Sequence, residues 1–308
     1  MGHSDVDAQA ALAAVGCEHF SVASKLSDNW HGDGHWLVRD RDGNRFSLRA
    51  VTFGREIRWE ETRRHDLAVL TAQLDAADAF IAAGLPFMQR VGEPAVVGNS
   101  FVMMFGWLDG VFAGTATPER AFAIGQLLRR VHDLALPADD RLPVHDVTAA
   151  AERSLTELAD IPDASFSEQA REMVDRVQGA PEGGRIVVHG DCNFRNILWS
   201  GDAVTGIVDI DQIGVCAPIE ELAWVTKWWS RPRGIADLSH DPALAREVLA
   251  GYDDDDRVDR QVLAAALWLS GCLNANSVLH MLHASADARP AVLAGLRQRA
   301  DDLAGLVA

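Results

Sequence analysis

The strongest constraint on the fold is residues 185–211, RIVVHGDCNFRNILWSGDAVTGIVDID, where three short apolar runs alternate with polar, acid-bearing loops. Arg185 to Val188, Ile197 to Trp199 and Val204 to Ile210 are rich in branched residues, and Ser200-Gly201-Asp202 supplies turn residues between the last two. The pattern predicts strand, loop, strand, tight turn, strand. A hairpin between the second and third strands brings His189, Asp191 and Asn196 close to the acidic end of the third, Asp209 and Asp211. A carboxylate such as Asp191 can accept the proton of an attacking hydroxyl. An amide oxygen, Asn196, and a carboxylate, Asp209, supply hard oxygen ligands for magnesium, which in that setting implies a bound nucleoside triphosphate. The alternative use of the same residues is a plain acidic turn, with Asp191 as a cap and Asp209 as a solvated strand end.

The spacing H-x-D-x-x-x-x-N at 189–196, followed by an apolar strand ending in I-x-D, resembles the catalytic segment of the aminoglycoside phosphotransferase and choline kinase family, relatives of the eukaryotic protein kinases. The resemblance implies transfer of a phosphoryl group from ATP or GTP to the hydroxyl of a small molecule. In it Asp191 is the catalytic base, Asn196 and Asp209 hold Mg2+, and His189 braces the loop. It also implies an α+β, two-lobed protein-kinase-like fold. Residues 1–105 would form a sheet-rich, nucleotide-binding N-terminal lobe. Residues 106–308 would form a larger, mainly helical lobe for catalysis and substrate binding.

Upstream, Asp7 to Val15 reads as a short opening helix, and Phe20 to Leu26, His35 to Arg39 and Arg45 to Val51 read as an antiparallel meander with a turn at Asp42-Gly43-Asn44. Gly32-Asp33-Gly34 suits either a phosphate cover or an ordinary hairpin loop. The family presents a lysine from the third strand to the phosphates. The matching position here is Arg49, whose fork also binds phosphate, and neither of the two lysines, Lys25 and Lys227, falls there. Apolar residues at helical spacing from Arg63 to Ala83, stopped by Gly84-Leu85-Pro86, predict a helix of about five turns. The family's helix carries a glutamate that pairs with the strand lysine; Asp75 is the one acid in the corresponding window, and a solvated helix face is the competing reading. Ala95 to Val97 and Phe101 to Phe105 predict a strand pair. The following Met104 to Gly110 resembles the interlobe hinge, which implies that the Gly106 carbonyl and the Leu108 amide meet the nucleotide base, with Val208 on the third catalytic strand also in the nucleotide site.

Thr117-Pro118-Glu119 is a helix start, with a capping hydroxyl, proline in the first turn and an acid near the positive end. Within that helix His132 reads as packing. A proline-containing connection, PADDRLPVHD, and a helical run from Glu168 to Val177 lead to the central stretch. After Asp211, which suits either metal, substrate or a structural hydrogen bond, QIGVCAPIEELAWVTKWW resembles the family's G-D-P-x-x-D-L-A segment, with Ala217 and Glu221 in place of its two aspartates. Acceptor contacts are expected from Asp191, Asp211, Glu220, Glu221, Trp224 and Trp228, and from Asn274 in the polar stretch to Ser277 of a helix predicted over Val262 to Leu282. Acids and aromatic faces both hold cations, while Trp224 and Trp228 at i and i+4 equally suit a packing stripe. The Asp253 to Asp256 run suits a solvated loop or a cationic acceptor.

The formal net charge of −17 argues against nucleic acid and anionic membrane as partners, and no apolar run reaches the roughly 18 residues of a membrane span. Cys17, Cys192, Cys216 and Cys272 lack metal-site or disulfide spacing and, with no basic start before an apolar core, point to a cytoplasmic protein with free thiols. Nothing in the sequence specifies an oligomer, so a monomer is the default. An antibiotic or related natural product is the favoured acceptor. A metabolic alcohol (amino alcohol, homoserine or sugar) is the alternative, and a catalytically silent nucleotide-binding regulator the rival from another class.

Overall fold

The computed structural model describes residues 6–26, 33–54, 56–57, 60–157, 164–180, 184–234, 239–253, 258–272 and 288–307. Helix α1 (Ala8–Ala14), capped by the Asp7 carboxylate, leads into β1 (Ser21–Lys25), β2 (Gly34–Arg39) and β3 (Arg45–Thr52). A small hairpin, β4 (Glu56–Ile57) and β5 (Glu60–Arg64), precedes α2 (Leu67–Ala82), and β6 (Ala95–Val97) and β7 (Ser100–Gly106) follow it. The five-stranded antiparallel sheet runs β1-β2-β3-β7-β6, so residues 21–106 build it entirely.

Alternation along the central strands sorts the two faces of this sheet. Leu48, Ala50, Val102 and Met104 pack with Leu12 and Trp36 in a small core under α1, whereas Val51, Phe101, Met103 and Phe105 join the main core with Leu70, Leu74 and Phe80 of α2. Arg49 shares the parity of Val51 and is therefore carried on the α2 side, almost wholly buried.

Helix α2 begins later than its apolar periodicity suggests. Asp66 accepts the Val69 amide at 2.9 Å and caps the helix there, and Arg63 and Arg64 belong to β5. It stops where expected, at Gly84 with φ +78°, and the segment after it pairs Phe87 with Ile207 in the catalytic region.

The rest of the chain is mainly helical. Strand β8 (Val111–Phe112) follows β7, and α3 (Pro118–Asp133), α4 (Val147–Glu157) and α5 (Ala164–Gln178) come next. The Thr117 hydroxyl accepts the Arg120 amide and caps α3 as predicted. The catalytic stretch forms β9 (Ile186–Val188), β10 (Ile197–Ser200) and β11 (Ala203–Ile207), then a single 3-10 turn, Ile210–Gln212, and β12 (Gly214–Cys216). The predicted hairpin is β10–β11, with β8 on the other edge of β10; β9 pairs instead with β12. The chain ends with α6 (Pro218–Trp229), α7 (Pro242–Tyr252), α8 (Arg260–Cys272) and α9 (Arg289–Ala304). The architecture is α+β, sheet-rich first and helical after, and no helix among the described residues is long and apolar enough to cross a membrane.

Candidate active site

The loop after β9 is held from inside. His189 is fully buried; its Nδ1 accepts the Asp191 amide at 3.2 Å, so the ring proton lies on Nε2, which donates to the Val208 carbonyl at 3.0 Å. The brace role implied for His189 therefore has a geometry: one imidazole ties the Asp191 loop to the end of the β10–β11 hairpin. Gly190 follows with φ +79°, and a Cβ there would lie 2.4 Å from the Gln212 carbonyl, so only glycine fits. The Trp229 indole donates to the Cys192 carbonyl at 2.9 Å and its ring lies 4.4 Å from that of Phe194, closing the loop from the α6 side.

Asp191 is buried with its carboxylate fixed at both oxygens. Oδ1 accepts the Trp224 indole N–H at 3.2 Å and Oδ2 accepts the Asn196 side-chain amide at 3.2 Å. The same Asn196 nitrogen also donates to the Asp191 carbonyl at 2.8 Å, which leaves the Asn196 amide oxygen as the group with capacity for a cation.

Strand β11 ends at Ile207, three residues before the predicted end at Ile210. Val208 donates to the Asn196 carbonyl at 2.9 Å, and Asp209 turns into the left-handed region, φ 69° and ψ 59°, a conformation aspartate tolerates better than branched residues. That turn aims the Asp209 carboxylate at Arg49, whose Nη1 donates to Oδ1 at 2.7 Å, while Nη2 lies 3.6 Å from the buried Asp211 carboxylate. Arg49 thus reaches from β3 to both acids.

Asp75 fits the solvated-face reading, which corrects its assignment to the cofactor: it lies 49% exposed and pairs with Arg141 at 3.3 Å. The α2 residue that turns inward is Gln73, fully buried, whose amide donates to the Asp211 and Ile213 carbonyls at 2.8 and 2.9 Å. Sequence reasoning missed Gln73 because it sought an acid to pair with a cation. A lone glutamine in an apolar helix face was the available signal.

Glu221 is a second correction. It is buried, accepts the Gly190 amide at 2.8 Å and bonds His132 at 2.9 Å, so it supports the loop instead of meeting an acceptor. Burial pushes its carboxyl up, but His132 and the Gly190 amide outweigh that and hold it below its usual value. His132 is the buried, hydrogen-bonded residue that its apolar helix predicts. Glu220 is only half-buried and accepts the Val147 amide at 3.2 Å; burial first, and the Asp146 charge second, raise its carboxyl to about 7. It lines a small cavity of about 30 Å³ with His145, Trp224 and Ser270.

Trp224 and Trp228 stand half-buried and edge to face. Each ring already carries a cation of the chain itself: the Lys227 ammonium is 5.0 Å from the Trp224 centroid, and the Arg231 guanidinium 4.2 Å from that of Trp228. Gly106 ends β7, and its amide donates to the Gln89 carbonyl at 2.8 Å. Leu108 and Val208 both pack half-buried against the main core, Leu108 beside Gly206 on β11. Asn274, with the polar stretch to Ser277, lies outside the described residues, as do Gly32 and Asp254 to Asp256. Cys192 is buried, and burial first, with Glu221 and Asp191 second, pushes its thiol up, so it stays protonated.

Among the described residues, no group of three or more His, Cys, Asp or Glu side chains could hold a metal ion. The donors that remain, the Asn196 amide oxygen and the one-third-exposed Asp209 carboxylate, are hard oxygens, and the Val208 amide bonded to the Asn196 carbonyl joins their backbones. Two protein ligands fit magnesium, which keeps its other positions for water and phosphate oxygens, and do not suit a metal needing an all-protein cage.

No curated protein sequence matches the chain significantly. Among solved structures, an aminoglycoside phosphotransferase from Alicyclobacillus acidocaldarius superposes with a TM-score of 0.65 at 12% identity, covering 99% of this chain and 96% of that one. A microcompartment-associated aminopropanol kinase gives 0.63 at 17% identity, over 97% and 95%. Amicoumacin kinase in complex with AMP-PNP, Ca2+ and its ligand gives 0.61 at 16% identity, over 92% and 88%. These likenesses show the kinase-like fold. The sequence profile of the phosphotransferase enzyme family (APH) matches residues 23–265, and the chain belongs to that family.

Proposed function

We propose that the protein transfers the γ-phosphoryl group of ATP or GTP to a hydroxyl of a small natural product of the antibiotic type, with Asp191 as the base. The observation that carries this reading is the Asp191 carboxylate itself. It is buried at 5% exposure and fixed at both oxygens by Trp224 and Asn196, in the loop tied through Val208 to the Arg49–Asp209 pair. A carboxylate so placed is pre-oriented to take a hydroxyl proton as the oxygen attacks phosphorus.

The chain's other residues have defined work in this reading. Arg49 would bring a permanent positive charge to the phosphates, and it pairs with both Asp209 and Asp211. Asn196 and Asp209 would hold Mg2+, which when bound neutralises phosphate charge. The Gly106 carbonyl and Leu108 amide at the hinge would meet the base, with the Leu108 and Val208 side chains beside it. Glu220, Trp224, Trp228 and Asn274 remain the candidates for acceptor contact. With Lys227 and Arg231 seated on the tryptophan rings, the acids rather than aromatic stacking would attract a cationic acceptor.

A turnover screen tests the proposal: ADP or GDP release with magnesium, over aminoglycosides, other hydroxylated antibiotics, amino alcohols, homoserine and sugars, with the phosphorylated product identified by mass. Turnover confined to amino alcohols, homoserine or sugars would replace the natural-product reading with metabolic use of the same site.

A further inference from the structure

A chain of hydrogen bonds, half-buried at Tyr252 and buried from His132 inward, reaches the loop before Asp191 from α7. The Tyr252 hydroxyl lies 2.8 Å from His132 Nδ1, His132 Nε2 lies 2.9 Å from Glu221 Oε2, and Glu221 Oε1 accepts the Gly190 amide at 2.8 Å. Gly190 is the residue before Asp191. Four elements take part: α7, α3, α6 and the loop after β9. The Tyr252 and His132 rings meet edge to face with centroids 5.4 Å apart.

The donor pattern is self-consistent. The Glu221 carboxylate only accepts, so His132 Nε2 carries a proton; the phenol then donates to Nδ1 of a neutral imidazole or accepts from an imidazolium. Either way the chain stays closed. Tyr252, the sole tyrosine of the sequence, is fixed by more than this bond. Helices α3 and α7 cross backbone to backbone through Gly125 and Gly251, where added Cβ atoms would fall 2.1 Å from the Val248 carbonyl and 2.0 Å from the Phe122 carbonyl. Arg129 on α3 also donates to the Tyr252 carbonyl at 3.1 Å.

We propose that Tyr252 is a positioning residue for Asp191, acting through His132 and Glu221 on the Gly190 amide. This rests on Asp191 being the base. His189 and Trp224 restrain the loop from other sides, and the Tyr252 chain restrains the one residue, Gly190, that has no side chain of its own to anchor. A base displaced by a fraction of an ångström loses rate without losing its nucleotide.

The test is Tyr252→Phe in the full chain, read by amide and indole NMR and by kinetics. The Gly190 amide and the Trp224 indole N–H, which bonds Asp191 directly, should both shift, while the Trp268 indole, bonded to Asp301 at 2.8 Å, stays in place. With an acceptor from the screen, kcat should fall roughly five- to twentyfold with the nucleotide KM nearly unchanged. Gly190 and Trp224 signals at their wild-type positions overturn the proposal, and so does wild-type kcat despite shifted signals. If Tyr252→Phe folds poorly, His132→Gln, which keeps a donor for Glu221 and drops the link to Tyr252, must give the same shifts. An active Asp191→Asn protein overturns the catalytic reading as well, whereas an inactive one with unmoved Tyr252→Phe signals overturns this proposal alone.

Discussion

At the scale of single residues, Arg49 and His35 show how burial sets chemistry. Arg49→Ala removes the cation between Asp209 and Asp211 and should raise the nucleotide KM about tenfold or more, with Arg49→Lys recovering part of it. Steady-state kinetics against nucleotide concentration check this; a greater loss for Lys25→Ala would mean that the strand alignment is wrong. His35 faces Arg49 across β2 and β3, and burial first, with the Arg49 charge second, lowers its imidazole from 6.5 to about 4. The unfolded chain binds a proton there at higher pH than the folded chain does. The stability contributed by neutral His35 is therefore complete above pH 6.5 and lost as pH falls towards 4. Glu220 works in reverse: raised from 4.5 to about 7, it contributes stability that is complete below pH 4.5 and lost as pH rises through 7. Urea unfolding from pH 4.5 to 7 should show His35→Gln losing less stability on the acid side than wild type, by on the order of 1–2 kcal/mol, and Glu220→Gln flattening the loss on the neutral side. Parallel curves for wild type and both variants would contradict the assigned shifts. The closeness of Asp191 to Asn196 was legible in the sequence because the two sit at a fixed spacing within one motif, and the place of Arg49 in the third strand because the strand alternates. Glu221 was misread, and Asp75 left between two readings, because residue type shows a charge but not which way it faces.

Among the elements, the β10–β11 hairpin and α2 were legible for different reasons. The hairpin announces itself by branched runs around Ser200-Gly201-Asp202, and α2 by its apolar periodicity and Gly84 stop. Their boundaries were not legible: the left-handed Asp209 ends the catalytic strand early, and the Asp66 cap starts α2 late, both being local backbone events that hydrophobic pattern does not report. Short pieces such as β4, β5, β8 and β12 exist only through pairing partners distant in sequence. The docking of α2 against the Asp211 segment through Gln73 is a tertiary event of the same kind. Gln73→Leu should leave the Asp211 and Ile213 carbonyls without their donor, destabilising the protein by about 1–3 kcal/mol. The same change should weaken magnesium-dependent nucleotide use, because the Asp209 turn stands on that segment. Calorimetry and magnesium titration of activity check both effects, and a variant with unchanged melting and unchanged magnesium dependence would remove Gln73 from any role in the site.

For the whole molecule, the order of sheet-rich and helical segments followed from the motif and its resemblance, whereas the acceptor did not. The formal charge is −17, and Trp224 and Trp228 already hold Lys227 and Arg231, so charge would select an acceptor through attraction by acids and not through these rings. For a cationic acceptor, kcat/KM at saturating nucleotide should fall with ionic strength, and above pH 7, where the raised Glu220 carboxyl is ionised, Glu220→Gln should flatten the fall. A neutral acceptor with salt-independent kcat/KM would leave the charge without a part in recognition. The claim on which everything else depends is that a carboxylate held by Trp224 and Asn196 is the base of a phosphoryl transfer. The most direct measurement is kcat of Asp191→Asn beside wild type, with the acceptor found by screening and nucleotide affinity and melting temperature recorded on the same samples. The expected result is a fall of roughly two orders of magnitude or more in kcat with nucleotide affinity and melting nearly unchanged; near-wild-type turnover by the folded variant would contradict it.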